Sequence, residues 1–195
     1  VICTNPCGEQ WLESYGSCNL GAVNLARHIK DGEMDWDLLA DSVRVGVRFL
    51  DNVLDVNHYP FKEIEDNCQK VRRIGLGIMG LHDLMIWTNK RYGSKEGNQL
   101  VDELFKFIAT NAYEQSIEIA KEKGSFPFLE QYGSREKLIQ TGYIKKLPKY
   151  IQNDILKYGI RNSHLLTIAP TGSTGTMVGV STGLEPYFGF SYFRS

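Results

Sequence analysis

Apolar residues recur along the chain with two periods. Trp36, Leu39, Val43, Val47, Leu50 and Leu54 return at three- and four-residue steps, which predicts a helix over about 35–56 with one face against a core. Asp35 and Asp37 suit its positive N-terminal end. A second stripe, made by Leu100, Leu104, Phe107, Ile108, Ala112, Ile117 and Ala120, predicts a longer helix over 95–123, stopped by Gly124 and then Pro127. Between them, 71–81 is apolar and rich in glycine, and reads as a short buried strand turning into a helix that reaches about Trp87. A shorter helix is expected over 148–158, closed by Gly159. After it, 164–169 reads as a buried strand that delivers its end to a loop, 170–175. Strands alternating with long helices indicate an α/β architecture. With no internal repeat, low-complexity tract or Pro/Gly/Ser-rich linker, 1–195 reads as one unit.

Composition narrows the function classes. A chain of 195 residues, 42% hydrophobic, can bury one substantial core. Its 22 Lys and Arg against 23 Asp and Glu leave a formal charge of −1, so no global field is available to hold a phosphodiester backbone or an anionic membrane surface. No apolar run approaches the roughly 18 residues of a membrane span, and Val1 opens no signal segment, so the expectation is a soluble, cytoplasmic protein. The chain lacks an initial Met and ends on aromatic-rich Tyr192-Phe193-Arg194-Ser195 without a polar tail, so both ends read as cuts within a longer polypeptide.

Three segments bear candidate chemistry. In Asn5-Pro6-Cys7-Gly8-Glu9, proline and glycine disfavour regular structure, so a carboxamide, a thiol and a carboxylate share a tight loop at i, i+2 and i+4. Such a loop can aim all three at one small molecule, or it is a turn capped by Asn5 with Glu9 in solvent. Cys18 begins a core element, where a buried inert cysteine is the ordinary outcome. In 170–175, small residues expose backbone N–H groups, hydroxyls add donors, and a helix starting there would aim its positive end at the same point. That suits a phosphate, although an ordinary polar turn reads equally well; the lysine of a Walker loop is missing.

Other patterns carry less. Cys3, Cys7 and Cys18, spaced C-x3-C-x10-C, lack the paired C-x2–4-C spacing and fourth ligand of a structural zinc site, so no metal is expected. His28, His58, His82 and His164 fall in no ligand spacing. Gly75, Gly77 and Gly80 have the spacing of a dinucleotide-binding turn. No acidic residue about 20 positions on follows a second strand, however, so they read as packing glycines.

Taken together the segments are far more specific. NPCGEQ, SCNLGAVNLA, RRIGLGIMGLHDL and IAPTGSTGTMVGVSTGLEPYF, in this order and approximate spacing, resemble the ribonucleotide reductase catalytic subunit along essentially the whole chain. NPCGE is similar to the adenosylcobalamin-dependent class more than to the NLC-x-E form usual with a separate radical-generating subunit. The resemblance implies an incomplete part of a ten-stranded α/β barrel and reduction of ribonucleoside di- or triphosphates to 2′-deoxyribonucleotides. It implies that Cys7 becomes a thiyl radical, Glu9 assists proton removal from the substrate 3′-OH, and Asn5 orients the ribose. Cys18 would be one member of the pair oxidised to a disulfide, and Thr171, Gly172, Ser173, Thr174 and Gly175 would hold the substrate phosphates. Adenosylcobalamin as cofactor, a thioredoxin-like or other dithiol reductant, the remaining segments of the reductase and a homodimer in the intact enzyme are further implications.

One departure matters. The family takes its second reducing cysteine from an earlier strand, and no residue precedes Val1 to supply it; Cys3 lies too near the radical loop and Cys68 in the wrong segment. The chain alone is therefore expected to be inactive. Two rival readings remain: the same reaction with a radical imported from a partner subunit, and a catalytically silent fragment with a structural or assembly role.

Overall fold

The computed structural model describes residues 1–189 and 191; Phe190 and the aromatic end at 192–195 lie outside the described residues. The chain opens with an antiparallel hairpin of two short strands, β1 (Cys3–Thr4) and β2 (Trp11–Leu12), followed by β3 (Asn19–Asn24) and a second small hairpin, β4 (Ile29–Lys30) with β5 (Glu33–Met34). Helix α1 (Trp36–Val56) follows the expected stripe, with Leu39, Val43, Val47, Leu50 and Leu54 buried. Asp35 caps it, its Oδ1 accepting from the Leu38 N–H at 3.0 Å. Next come α2 (Lys62–Val71), β6 (Ile74–Met79) and α3 (Leu81–Trp87). The long helix α4 (Lys95–Lys123) starts where the Ser94 hydroxyl accepts from the Gly97 N–H and stops at Gly124, whose φ of 81° suits only glycine well. Short helices α5 (Pro127–Tyr132) and α6 (Arg135–Leu138), then α7 (Lys149–Tyr158) and α8 (Gly172–Val178), complete the chain.

The centre is a parallel sheet. β3 and β6 pair in register from Asn19 beside Ile74 to Asn24 beside Met79, and Leu76 bridges Leu166 on the far side of β6. The Leu76 N–H donates to the Leu165 carbonyl at 2.8 Å, and the Thr167 N–H returns to the Leu76 carbonyl at 3.1 Å. The expected strand over 164–169 is thus present only as this short pairing, with Pro170, which has no N–H to donate, following it. Among the described residues the sheet is open at both edges and closes no barrel.

Period-two alternation splits the sheet into two faces. On one, α1 lies close: a Cβ at Gly21 would touch Leu50, and one at Gly46 would sit 3.1 Å from the Leu76 side chain. α4 packs against α1 and α7 against α4, which puts the main core between helices and sheet. The opposite face is paved by Gly75 and Gly77, where a Cβ would overlap the Thr167 methyl and carbonyl oxygen respectively. These glycines let the third segment approach β6, which is the packing role expected of them.

Two further elements bear on the site. α2 shows no continuous apolar stripe and caps itself with Arg72 in a left-handed conformation, φ 47°. That strain is held by a buried cluster: Asp51, 0% exposed, accepts at Oδ1 from Arg72 Nε and Asn162 Nδ2, each at 2.9 Å, while Arg161 Nε lies 3.4 Å from Oδ2. The expected loop over 170–175 is also shorter, since α8 already begins at Gly172 and only Pro170 and Thr171 remain outside it. Among the described residues, no helix is long and apolar enough to cross a membrane.

The glycine face is testable. Gly77→Ala should lower stability to urea by about 1–3 kcal/mol, because the backbone of the third segment must shift. Gly172→Ala, where nothing lies within 4 Å, should be close to neutral.

Candidate active site

The hairpin β1–β2 presents the Asn5–Glu9 loop. Its backbone closes with the Asn5 N–H donating to the Gln10 carbonyl at 3.2 Å and the Gly8 N–H donating to the Asn5 carbonyl at 3.0 Å. The Asn5 side chain joins in: its Oδ1 accepts from the Gln10 N–H at 3.0 Å, the turn-capping geometry typical of asparagine. Gly8, at φ 80°, takes the left-handed position of the turn. Cys7 stands exposed at the tip, whereas Glu9 is half-buried on the sheet side with its Oε2 buried and unpartnered. The Thr167 hydroxyl donates to the Glu9 carbonyl at 3.2 Å and ties the loop to the third segment, four residues before Thr171.

Cys18 lies just ahead of β3. Its sulfur packs 3.1 Å from where a Gly75 Cβ would stand, on the same glycine-paved face. Burial pushes its thiol up to about 12; Arg73 pulls the other way, while Glu9 and Cys68 add to the rise. The structure therefore brings Glu9 and Cys18 into one electrostatic neighbourhood and leaves Cys7 at the open tip above it. Cys68 is buried in α2, where desolvation raises its thiol against hydrogen bonds from Ser17 and Tyr59, and Cys3 is an exposed β1 residue.

The candidate phosphate segment sits at the other end of the sheet, where the third segment leaves it. Thr171, φ 50°, turns the chain, and its Oγ1 accepts from the Gly183 N–H at 2.9 Å. Gly172, Ser173 and Thr174 are exposed in the first turn of α8, whose leading N–H groups have no acceptor within the helix. Gly175 is buried because Thr182 and the Val180–Ser181 backbone pack against it, so it shapes the helix rather than facing solvent.

Sequence reasoning missed the supports. Ser181 is held from three sides: its carbonyl accepts from the Gly80 N–H, its Oγ accepts from the His82 N–H, and its own N–H donates to Asp83 Oδ2 at 2.7 Å. Tyr187 OH donates to Asp83 Oδ1 at 2.9 Å, so α3 braces the whole segment after α8. On the cysteine side, Arg73 is 6% exposed, with Nη2 3.0 Å from Glu13 Oε2 and Nη1 3.4 Å from Gln10 Oε1. Burial raises the Glu13 carboxyl, but hydrogen bonds from Asn67 and Arg73 outweigh it and leave it below the ordinary carboxylate range. Among the described residues, no group of three or more His, Cys, Asp or Glu side chains is placed to hold a metal ion.

Comparison with known proteins adds an independent finding. The family described as "Ribonucleotide reductase, barrel domain" matches residues 1–195. A "Vitamin B12-dependent ribonucleoside-diphosphate reductase" of Mycobacterium tuberculosis is 37% identical over 195 residues, which are all of this chain and 25% of that protein. A relative of the same description from Thermoplasma acidophilum is 37% identical over 194 residues, 98% of this chain and 22% of its own length. The "Ribonucleoside-diphosphate reductase subunit alpha" of Chlamydia pneumoniae is 32% identical over 218 aligned positions, covering this whole chain and 21% of the relative. The chain thus spans a quarter or less of the length of these relatives.

The link between loop and sheet can be measured directly. Thr167→Val keeps the shape but removes the donor to the Glu9 carbonyl, a bond of about 0.5–1.5 kcal/mol. Backbone amide exchange over residues 5–10 should quicken while that of α1 stays unchanged.

Proposed function

The chain belongs to the ribonucleotide reductase barrel-domain family over residues 1–195, and from that premise we propose that it carries the radical-bearing and reducing part of a site that converts ribonucleotides to 2′-deoxyribonucleotides within a longer polypeptide. The observation that supports this most is the division of the cysteine region. A thiol is exposed at a loop tip, while a half-buried second thiol and a buried carboxylate oxygen without a partner interact on the glycine-paved face of the sheet. In this reading Cys7 gives up its S–H hydrogen and abstracts one from the substrate ribose. The free Glu9 oxygen accepts the 3′-OH proton, and Asn5, held by the turn, orients the sugar. Cys18 gives a reducing hydrogen and ends in a disulfide with a cysteine from another part of the polypeptide. An external dithiol of the thioredoxin kind then restores both thiols.

The substrate we assign is a ribonucleoside diphosphate, in keeping with the names of the relatives, with Thr171, Gly172, Ser173, Thr174 and Gly175 forming the phosphate end. Adenosylcobalamin is the proposed cofactor, and Cys7, exposed on a projecting hairpin, suits a bulky radical source. When bound, that group supplies the initiating radical; the chain positions the acceptor thiol and keeps the ribose away from solvent. The Chlamydia relative, described as a subunit, favours a second reading in which the radical comes from a partner protein. Cobalamin binding by the intact polypeptide separates the two.

Three variants of the intact enzyme test the roles side by side. Cys7→Ser should abolish both product and hydrogen exchange between the cofactor's 5′ carbon and solvent, since an alcohol O–H is a far poorer hydrogen donor than a thiol. Cys18→Ser should retain exchange yet release damaged substrate without deoxynucleotide, and Glu9→Gln should slow turnover without removing the radical. Exchange retained in Cys7→Ser, or full dithiol-driven yield in Cys18→Ser, overturns the assignment.

A separate measurement addresses the phosphate end. Gly172→Val should weaken nucleotide affinity at least tenfold by crowding the open first turn of α8, and Ser173→Ala should weaken it less, because one neutral hydrogen bond contributes only about 0.5–1.5 kcal/mol. Equal affinity in the wild type and the valine variant removes this segment from the site.

A further inference from the structure

Arg73 is a buried cation that the roles proposed above leave without a task. It directly precedes β6, two residues before Gly75, so by strand alternation both point to the same face. The parallel register pairs Asn19 with Ile74; continued by one residue, it sets Cys18 beside Arg73. The Cys18 sulfur against Gly75 places the thiol on that face as well. The guanidinium is not free to wander, since Glu13 and Gln10 hold its two terminal nitrogens. Its Nε is buried and unpartnered, as is Glu9 Oε2 on the same side of the sheet. A fixed cation with a spare donor and a carboxylate with a spare acceptor thus flank one sulfur.

We propose that Arg73 is a positioning residue whose anchored guanidinium offsets negative charge as it develops on the Cys18 sulfur. The proposal rests on the reductant role given to Cys18. Regeneration of a disulfide that includes Cys18 is heterolytic. A thiolate of the external dithiol attacks the partner sulfur and forms a mixed disulfide; the old S–S bond breaks, and Cys18 leaves with the electron pair as a thiolate before it takes a proton. The second thiol of the reductant then resolves the mixed disulfide, so two thiols form here and the dithiol ends oxidised. Burial holds the half-buried Cys18 thiol high even with Arg73 pulling it down, so without that counter-charge it would leave more poorly still.

The charged and titratable groups facing the sulfur and its cation are Arg73, Glu9 and Cys68, with Glu13 and His164 against Arg73. His164 keeps an exposed edge, yet desolvation of its ring and the Arg73 charge push its imidazole down to about 4, so it adds no second cation at neutral pH. Arg73 is therefore the one cation among them.

The test is the pH dependence of Cys18 alkylation by iodoacetamide in the intact polypeptide, resolved from the other cysteines by peptide mass spectrometry and needing no substrate, cofactor or turnover. Arg73→Gln should slow Cys18 alkylation at least tenfold at pH 9 and leave Cys68 unchanged. Arg73→Lys, which keeps the charge but cannot reach both Glu13 and Gln10, should slow it two- to fivefold. A merely structural role for Arg73 predicts the reverse, because a loosened site exposes the sulfur and speeds the reaction. Wild-type or faster alkylation of Cys18 in the Gln variant overturns the proposal. Should that variant fail to fold by circular dichroism, a wild-type rate in the Lys variant does so. Product yield in Cys18→Ser decides the reductant role itself, so the two readings fail separately.

Discussion

The architecture hangs on the buried carboxylate of Asp51. It sits on α1 among leucines and valines, fully enclosed, and it is paired with Arg72, 2% exposed. Two buried charges cost several kcal/mol each to desolvate, so the arrangement persists only because every remaining donor and acceptor is matched. Arg72 Nη2 also reaches the Asp51 carbonyl and Nη1 reaches Asp55, while Asn162 joins Asp51 Oδ1 to the Arg72 carbonyl. Asn162 in turn accepts from Ser116 Oγ of α4 at 2.9 Å. One node thereby fixes α1, the end of α2, the C-terminal half of α4 and the start of the third sheet segment.

What the node fixes, the site inherits. Arg72 immediately precedes Arg73 and β6, and Asn162 lies two residues before 164–169, so the spacing between these two strands is set at their N-terminal ends. The glycines of β6 then allow contact close enough for Thr167 to hold the Glu9 carbonyl. The helical face supplies the stability, and the glycine face, relieved of side chains, supplies room for loop and sulfur.

How much of this could be read beforehand depended on whether apolar periodicity carried the information. α1 and α4 agree with their stripes to within a residue because both bury one long face and end on clear caps, Asp35 and Gly124. α2 has no apolar stripe from which its bounds could be read: Lys62–Val71 buries only Cys68, and its position comes from Arg72 and Asp51, whose charges look like surface residues in sequence. α8 was read mostly as loop because Gly172, Ser173, Thr174 and Gly175 are poor helix formers, stabilised here by the braces at Gly183 and Ser181. The cysteine loop was legible as a tight turn from Pro6 and Gly8, but the cation beside Cys18 was not, since nothing local in sequence links Arg73 to a residue fifty-five positions earlier.

The bond from Thr167 to the Glu9 carbonyl spans 158 residues of sequence. During synthesis, which proceeds at about 5–20 residues per second, roughly 8–32 s separate the appearance of its two ends. Over that interval the first hairpin can form locally, but the surface that receives it does not exist, and the Asp51–Asn162 contact, 111 residues long, is missing as well. The thiols at the front of the chain therefore emerge long before the enclosure that gives them different environments. Their distinct surroundings are acquired late, as a property of the finished sheet rather than of the nascent loop.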